Sequence, residues 1–331
     1  MRILFIILAH KNPDQLIRLY NSLSAKDSAF VIHVCKNVST KDFSHISDFF
    51  KNKRNVYFAK RERATWASYN LTRAVLNCFQ LAERVKLKFD YLQIISGQDY
   101  PIKPVEHIQE FFEKNKGQQF LSYKAIDETT NIDEEYVDPV RNQLTLRDQS
   151  NRYKYPFIKI FKNIYIRIHN EQNPDPSTKM DFFKNFLRSN FRFFERKWFN
   201  ESMPPYYGSN WININYACFK EILGYCSENR NYLKYHRSIF CPEELFFHTI
   251  ILNSKFKDSC VNDNLHFITW DTKITKHPLI LDKGNFEQIQ DSEAHFARKF
   301  DLAIKPEIFD LIDFHILNPG SSLESSKLKL A

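Results

Sequence analysis

The sequence predicts an α/β fold with a mostly parallel central sheet flanked by helices. Three observations carry that expectation. Short, continuously apolar runs recur through the first 125 residues, amphipathic helical patterns separate them, and 331 residues at 43% hydrophobic content are enough for a large core. Strands that read as unbroken apolar runs are buried on both faces, as they are in a parallel sheet covered by helices on either side.

The first run, RILFIILAH, starts the sheet. It resembles a signal peptide in hydropathy, but it meets His10 and Lys11 with no small-residue cleavage site and no polar spacer, so it is read as buried strand. Asn12, Pro13 and Gln15 then offer a cap, a first helical position and a capping-box glutamine to the helix NPDQLIRLYNSL. AFVIHV follows as strand, DFSHISDFF as a short helix and NVYFA as strand. The helix in TWASYNLTRAVLNCFQLAERV, the strand DYLQIISG, the helix KPVEHIQEFFEKN and the strand QQFLSY complete the alternation.

Between 128 and 205 the character changes. An acidic patch from Asp127 to Glu135 gives way to a segment, 141–200, with thirteen Lys and Arg against five Asp and Glu, an excess equal to the +8 of the whole chain. Phe182, Phe183, Phe186, Phe191, Phe193, Phe194 and Trp198 interleave with those charges. Two readings stay open for this basic helical insertion. It is a solvated face with an apolar inner side, or a surface for anionic lipid or a charged glycan. From 206 the alternation resumes with GSNWININYACF as strand and helix start, CPEELFFHTI as helix, LHFITWD as strand, then DSEAHFARKFD and a short helix through Leu311. The residues after Pro319 read as a disordered tail.

Several chemistries are excluded by what is missing. Six glycines leave no room for G-x-G-x-x-G or a P-loop, and neither a G-x-S-x-G elbow nor H-E-x-x-H occurs. The six cysteines never fall in C-x-x-C spacing, which suits a reducing cytoplasm, and no run is long enough to span a membrane. The net charge of +8 and pI near 9.0 point to anionic partners: nucleic acid, a nucleotide-activated substrate or an acidic membrane surface.

Parallel sheets bind ligands beyond the carboxyl ends of their strands. Here that places a nucleotide site at Ala9 and His10, at Cys35, at Arg61 to Trp66, and at Ser96, Gly97, Gln98, Asp99 and Tyr100. No Asp-x-Asp is present to hold a cation on a diphosphate, so lysine and arginine are the groups left for that charge, with Lys273 and Lys276 in TKITKHP and Arg298 and Lys299 in HFARKFD as candidates. In CPEELFFHTI, Glu243 and Glu244 follow Pro242. They either favour the positive end of a core helix or include a general base held at a site edge.

Eight stretches, taken together, resemble the core-2/I-branching β-1,6-N-acetylglucosaminyltransferases and the related peptide O-xylosyltransferases, bacterial members included. They are ILAHKNPDQLIRLYNSL, FVIHV, TWASYNLTRAVL, YLQIISGQDYPIK, GSNWININYACFKEIL, CPEELFFHTI, FITWD and HFARKFD, in the family's order from residue 3 to about 301. The resemblance implies a GT-A-like nucleotide-sugar transferase fold and inverting transfer of N-acetylglucosamine or xylose from a UDP-sugar to a glycan or lipid-linked acceptor. It also implies that no metal cofactor and no nucleic acid take part, with a place in bacterial surface polysaccharide or glycoconjugate synthesis. By the same alignment Glu244 is the catalytic base, Glu243 its acidic neighbour, Lys276 and Lys299 the cations that replace a metal, and Trp270 an acceptor-side tryptophan, with Gly208 also on the substrate side. A core aromatic ending a strand is the other reading of Trp270. Cys35 departs from the pattern, because relatives carry an Asp there, on the loop that meets the nucleotide.

The organisation expected is a nucleotide-sugar-binding half over 1–127, the basic aromatic insertion over 128–205, an acceptor-binding and catalytic half over 206–315, and a flexible tail over 316–331. The expected location is the cytoplasm, with the insertion available to the inner membrane face. A relative that holds glycan or nucleotide without catalysis is the alternative.

Overall fold

Apolar residues that alternate in a strand point to opposite faces of the sheet, and β1 (Ile3–Ala9) uses both. All seven of its residues are buried. Ile3, Phe5 and Ile7 join one core cluster, and Leu4, Ile6 and Leu8 join the other. The computed structural model describes residues 1–65, 67–126, 202–237, 241–270 and 278–319. The remaining strands are β2 (Ser28–Val34), β3 (Val56–Phe58), β4 (Tyr91–Ser96), β5 (Tyr100–Pro101), β6 (Gln119–Ala125), β7 (Tyr206–Asn215), β8 (Cys260–Val261), β9 (His266–Ile268) and β10 (Phe296–Arg298). The helices are α1 (Pro13–Leu23), α2 (Thr40–Phe50), α3 (Tyr69–Arg84), α4 (Val105–Lys114), α5 (Tyr216–Glu228), α6 (Arg230–His236), α7 (Glu243–Leu252), α8 (Phe286–Asp291) and α9 (Glu307–Ile312).

The main sheet has seven strands in the order β3-β2-β1-β4-β7-β6-β8. β1 runs parallel to β2 and β4, and β2 to β3, with Ile3 opposite Ser28 and Tyr91. The α/β architecture with a mostly parallel sheet and helices on both faces is the one expected. α1, α2, α4 and α9 cover the face of Phe5 and Ile7, while α3, α5 and α7 cover that of Leu4 and Ile6.

QQFLSY forms β6. β7 lies between β4 and β6 and pairs antiparallel with both, so residues from the two halves of the chain share one sheet. One expectation is corrected: the capping box at α1 does not form. Asn12 holds a left-handed conformation with φ of 52° and makes no side-chain cap, and Gln15 turns into the core. Gln15 Nε2 donates to the carbonyls of Gly97 at 2.7 Å and Phe300 at 3.2 Å, and its Oε1 accepts from the Leu302 N–H at 2.8 Å. Burial leaves no water to satisfy an amide, so long-range partners win over the local cap.

Because β7 is antiparallel, its first residues lie at the same edge as the carboxyl ends of β1, β2 and β4. A second, three-stranded sheet in the order β5-β10-β9 closes over this edge. Phe300 N–H bonds to the Gln98 carbonyl at 2.8 Å, which fixes the segment after β10 to the turn after β4. Of the expected features, Trp66, Lys276, nearly all of the basic insertion and most of the tail lie outside the described residues. Among the described residues no helix is long and apolar enough to cross a membrane.

Candidate active site

The turn after β4 is built by Asp99. The Ser96 N–H donates to Asp99 Oδ2 at 2.7 Å and the Ser96 hydroxyl to Oδ1 at 3.1 Å, while the Gln98 N–H bonds to Ser96 Oγ at 3.1 Å. Gly97 lies against Ala9, and its N–H bonds to the Leu8 carbonyl at 3.0 Å, so the turn is keyed into the end of β1. Arg298, on β10, reaches Asp99 Oδ1 at 3.0 Å, and its guanidinium lies 4.4 Å from the Trp211 ring centre. Burial opposes the charge on Asp99. Arg298, His266 and the Ser96 N–H outweigh it and hold the carboxyl below the usual carboxylate range.

Around this knot sit further basic groups. His10 is exposed and is held below its ordinary pKa by lost hydration and by Lys11, Lys299 and Arg298. Lys299 is likewise lowered, first by burial and then by Arg298 and Lys11. The carboxylate that answers them is Asp301, 2.5 Å from Lys11 Nζ and bonded by Asn12 Nδ2 at 2.8 Å. Lys299 itself has no ion-pair partner among the described residues. Two basic groups held low by the cations beside them gain from an added anion.

Cys35 is 3% exposed, and its thiol lies 3.6 Å from the Ala64 carbonyl. Arg61 braces the same loop through the carbonyls of Val34 at 3.1 Å and Cys35 at 2.9 Å.

The carboxylate pair lies at the start of α7. Glu243 is buried and its Oε1 accepts from the Ala67 N–H at 3.3 Å, which ties the helix to the loop that leads into α3. Glu244 points elsewhere. Its carboxyl is raised to about 7 by burial, opposed in part by a hydrogen bond from the Tyr207 hydroxyl. Its Oε2 is cut off from solvent and has no hydrogen-bond partner among the described residues. A carboxyl tuned to neutrality can take a proton and return it, which Asp99 cannot do at the same pH.

Gly208 lets α7 lie where it does. A Cβ there would stand 1.9 Å from the Ser122 carbonyl and 2.6 Å from the His248 ring, so only glycine permits β6, β7 and α7 to approach this closely. Trp270 is 55% exposed and bridges to Pro278, which rules out the core-aromatic reading and leaves its ring free to meet a ligand.

The described candidates therefore form two groups. His10, Ser96 to Asp99, Arg298 and Lys299 make a cationic end, and Glu243, Glu244 and Gly208 make a carboxyl end. β7 runs between them, since Tyr207 opposes the raised pKa of Glu244 and Trp211, four residues on and at most about 13 Å away along a strand, stacks on Arg298. Sequence reasoning missed both aromatics. Trp211 sits in the matched stretch GSNW, but nothing in the sequence pairs either ring with a site residue that is distant along the chain. Among the described residues no three His, Cys, Asp or Glu side chains gather as a metal site.

Fold and site together define an α/β protein whose candidate site residues gather at the carboxyl edge of a mostly parallel sheet. The chain belongs to the Core-2/I-Branching enzyme family, whose model matches residues 3–290. It is 25% identical to a beta-glucuronosyltransferase of Arabidopsis thaliana over 96% of this chain and 66% of that protein. It is 22% identical to xylosyltransferase 1 of Canis lupus familiaris over 96% of this chain and 31% of that protein. The chain thus spans under two thirds of one relative's length and under one third of the other's. Among solved structures, a galactosyltransferase, LgtC, aligns with 98% of this chain and 99% of its own at 9% identity and a TM-score of 0.39.

Proposed function

We propose that the protein is an inverting glycosyltransferase that moves a sugar from a UDP-sugar to a hydroxyl of a glycan or lipid-linked acceptor. The observation that carries this is Glu244, a carboxyl brought to about 7 with one buried oxygen left without a partner. In the transfer, Glu244 accepts the proton of the acceptor hydroxyl, whose oxygen bonds to the anomeric carbon from the side opposite the nucleotide. The bond to the donor phosphate breaks, and its electrons leave with UDP. Lys299, with Lys276 outside the described residues, meets the charge that gathers on the diphosphate, so that no metal is needed. The depressed pKa of Lys299 supports this part, because an anion relieves the crowding of cations around it. His10 and the Ser96 to Asp99 turn flank the donor, while Trp270 offers its exposed ring to the acceptor.

The names of the relatives add glucuronic acid to xylose and N-acetylglucosamine as candidate sugars. The basic segment 141–200 is assigned to the acceptor or to an anionic membrane surface that presents it.

The test is release of UDP from a panel of UDP-sugars with acceptor, with and without EDTA. Glu244→Gln is expected to lower turnover by about 10²- to 10⁴-fold with donor binding retained. Full turnover in that variant would remove Glu244 from the reaction, and strict dependence on an added cation would overturn the lysine assignment.

A further inference from the structure

Five non-glycine residues among those described hold φ in the left-handed region, and two of them, Ala67 at 59° and Cys241 at 48°, are bonded to each other. The Cys241 N–H donates to the Ala67 carbonyl at 3.3 Å, and the Ala67 N–H donates to Glu243 Oε1 at 3.3 Å. Both backbone polar groups of Ala67 are thus held by the residues that open α7. The Cys241 carbonyl accepts the Glu244 N–H at 3.1 Å, so the backbone of Glu244 hangs on the residue that holds Ala67. Ala67 is the third residue of a turn closed from the Ser68 N–H to the Thr65 carbonyl at 3.3 Å, with the Ser68 hydroxyl on the same carbonyl at 2.7 Å. A positive φ at that position ordinarily calls for glycine, and a residue with a Cβ stays there only where its surroundings fix it. The chain before the turn is fixed at its other end too. The Glu62 N–H donates to His33 Nε2 at 2.8 Å and the Glu62 carbonyl accepts the Lys36 N–H at 2.9 Å, beside the bonds of Arg61 to the carbonyls of Val34 and Cys35. Residues 61–67 therefore tie the carboxyl end of β2 to the start of α7.

We propose that Glu243 is a positioning residue for the transfer reaction: its carboxyl holds the Ala67 N–H and so fixes the turn that carries Glu244 against the loop braced on β2. Glu243 is 2% exposed, so its carboxyl meets the chain's own backbone and not solvent. The reaction needs the acceptor hydroxyl, the base and the donor carbon in alignment, and a displacement of about 1 Å costs about 10²-fold in rate. A tie between the end of β2, where the nucleotide site is expected, and the residues around Glu244 is a constraint that sets this alignment. The role asks for an acceptor oxygen on Glu243 and not for its charge, although a charged acceptor makes the stronger bond. That separates it from the alternative in which Glu243 meets the substrate directly as the acidic neighbour of the base.

This inference rests on the glycosyl-transfer reading of the site, and its test has one arm that does not. In Glu243→Leu, which removes the acceptor oxygen, kcat is expected to fall by about 10- to 10²-fold with the KM for donor unchanged. Glu243→Gln keeps an oxygen for the Ala67 N–H and should recover most of that loss, to within about fivefold of the wild type. The second arm needs no substrate. In protein labelled with ¹⁵N-alanine, the Ala67 amide should exchange with solvent about tenfold faster in Glu243→Leu, the size of one hydrogen bond, while Ala74 and Ala82 within α3 keep their rates. Should the leucine variant not fold, Glu243→Gln carries the test alone, since a charge that touches substrate predicts a full loss and a raised KM. Unchanged exchange at Ala67 in Glu243→Leu, or equal losses in the two variants, overturns the proposal. A lower melting temperature with kcat unchanged overturns it as well and leaves Glu243 as packing only. Faster exchange at Ala67 in a protein whose wild type releases no UDP supports the tie and removes the transfer reading instead.

Discussion

Asp99 and Glu244 are both carboxyl groups shielded from water at the same edge of one sheet, and the protein treats them in opposite ways. Asp99 receives two bonds from Ser96 and one from Arg298, and neighbouring charge holds it ionised. Glu244 receives one bond from Tyr207, no charge among the described residues assists it, and burial lifts it to about 7. The difference teaches that burial alone does not decide protonation. What decides it is whether the desolvation of the charged form is met by donors, and how many. At the cationic end the charge is permanent, while at the carboxyl end it is conditional.

The largest expected effect comes from removing the permanent charge. Asp99→Asn leaves the Arg298 guanidinium, only 15% exposed, without its counter-ion, and breaking a shielded pair of this kind costs about 3–5 kcal/mol. Urea unfolding at pH 7 should show it. The folded pKa of Asp99 lies below its unfolded value, so its contribution is present above the unfolded pKa near 4 and fades as pH falls through the folded one. The deficit of the variant should shrink in acid accordingly. Equal stability of the two proteins at pH 7 would show the knot to be dispensable.

Glu244→Gln should act with the opposite sign. The folded pKa near 7 lies above the unfolded value near 4.5, so the wild type is most stable below the unfolded pKa and loses stability as pH rises through the folded one. An amide carries no such penalty. The variant should match the wild type near pH 4 and exceed it by up to about 3 kcal/mol at pH 8. Thermal unfolding at both pH values measures it. A gain of equal size at the two pH values would place its source in packing, and the contrast with Asp99 would fail.

How much of this was legible in the sequence follows from how far the relevant partners lie along the chain. β1 to β4 could be read because each strand carries its own apolar run and an amphipathic helix separates it from the next, the pattern of a parallel sheet, which holds even where β4 pairs with the distant β1. The position of β7 could not, since its ten residues belong between β4 and β6 while lying more than eighty residues beyond β6. Gln15 failed for the same reason: a local cap predicted its role, but its hydrogen bonds go to residues 97, 300 and 302. Of the site, the acidic pair behind a proline left two readings open in the sequence, and the family resemblance was what singled out Glu244. Tyr207, which opposes the effect of burial on Glu244, stands thirty-seven residues earlier on another element, and nothing local reports it. Cys35 shows a further limit, because nothing in the sequence reports that its thiol lies 3.6 Å from the Ala64 carbonyl.

The smallest expected effect separates the two ends by salt. His10 is lowered by lost hydration and by Lys11, Lys299 and Arg298, and as an exposed group it shares solvent and counter-ions with them. Raising ionic strength from about 0.01 to 1 M shortens the screening length from about 30 to 3 Å, which weakens the pull of those three cations. The His10 pKa should rise with salt in a proton NMR titration of its ring. Glu244, whose shift comes from burial and a neutral hydroxyl, offers salt nothing to screen, so its infrared titration should stay near 7 across the same range. If both groups moved together, a charge outside the described residues would be acting on Glu244, and the division of the cleft into a charge-governed end and a burial-governed end would not hold.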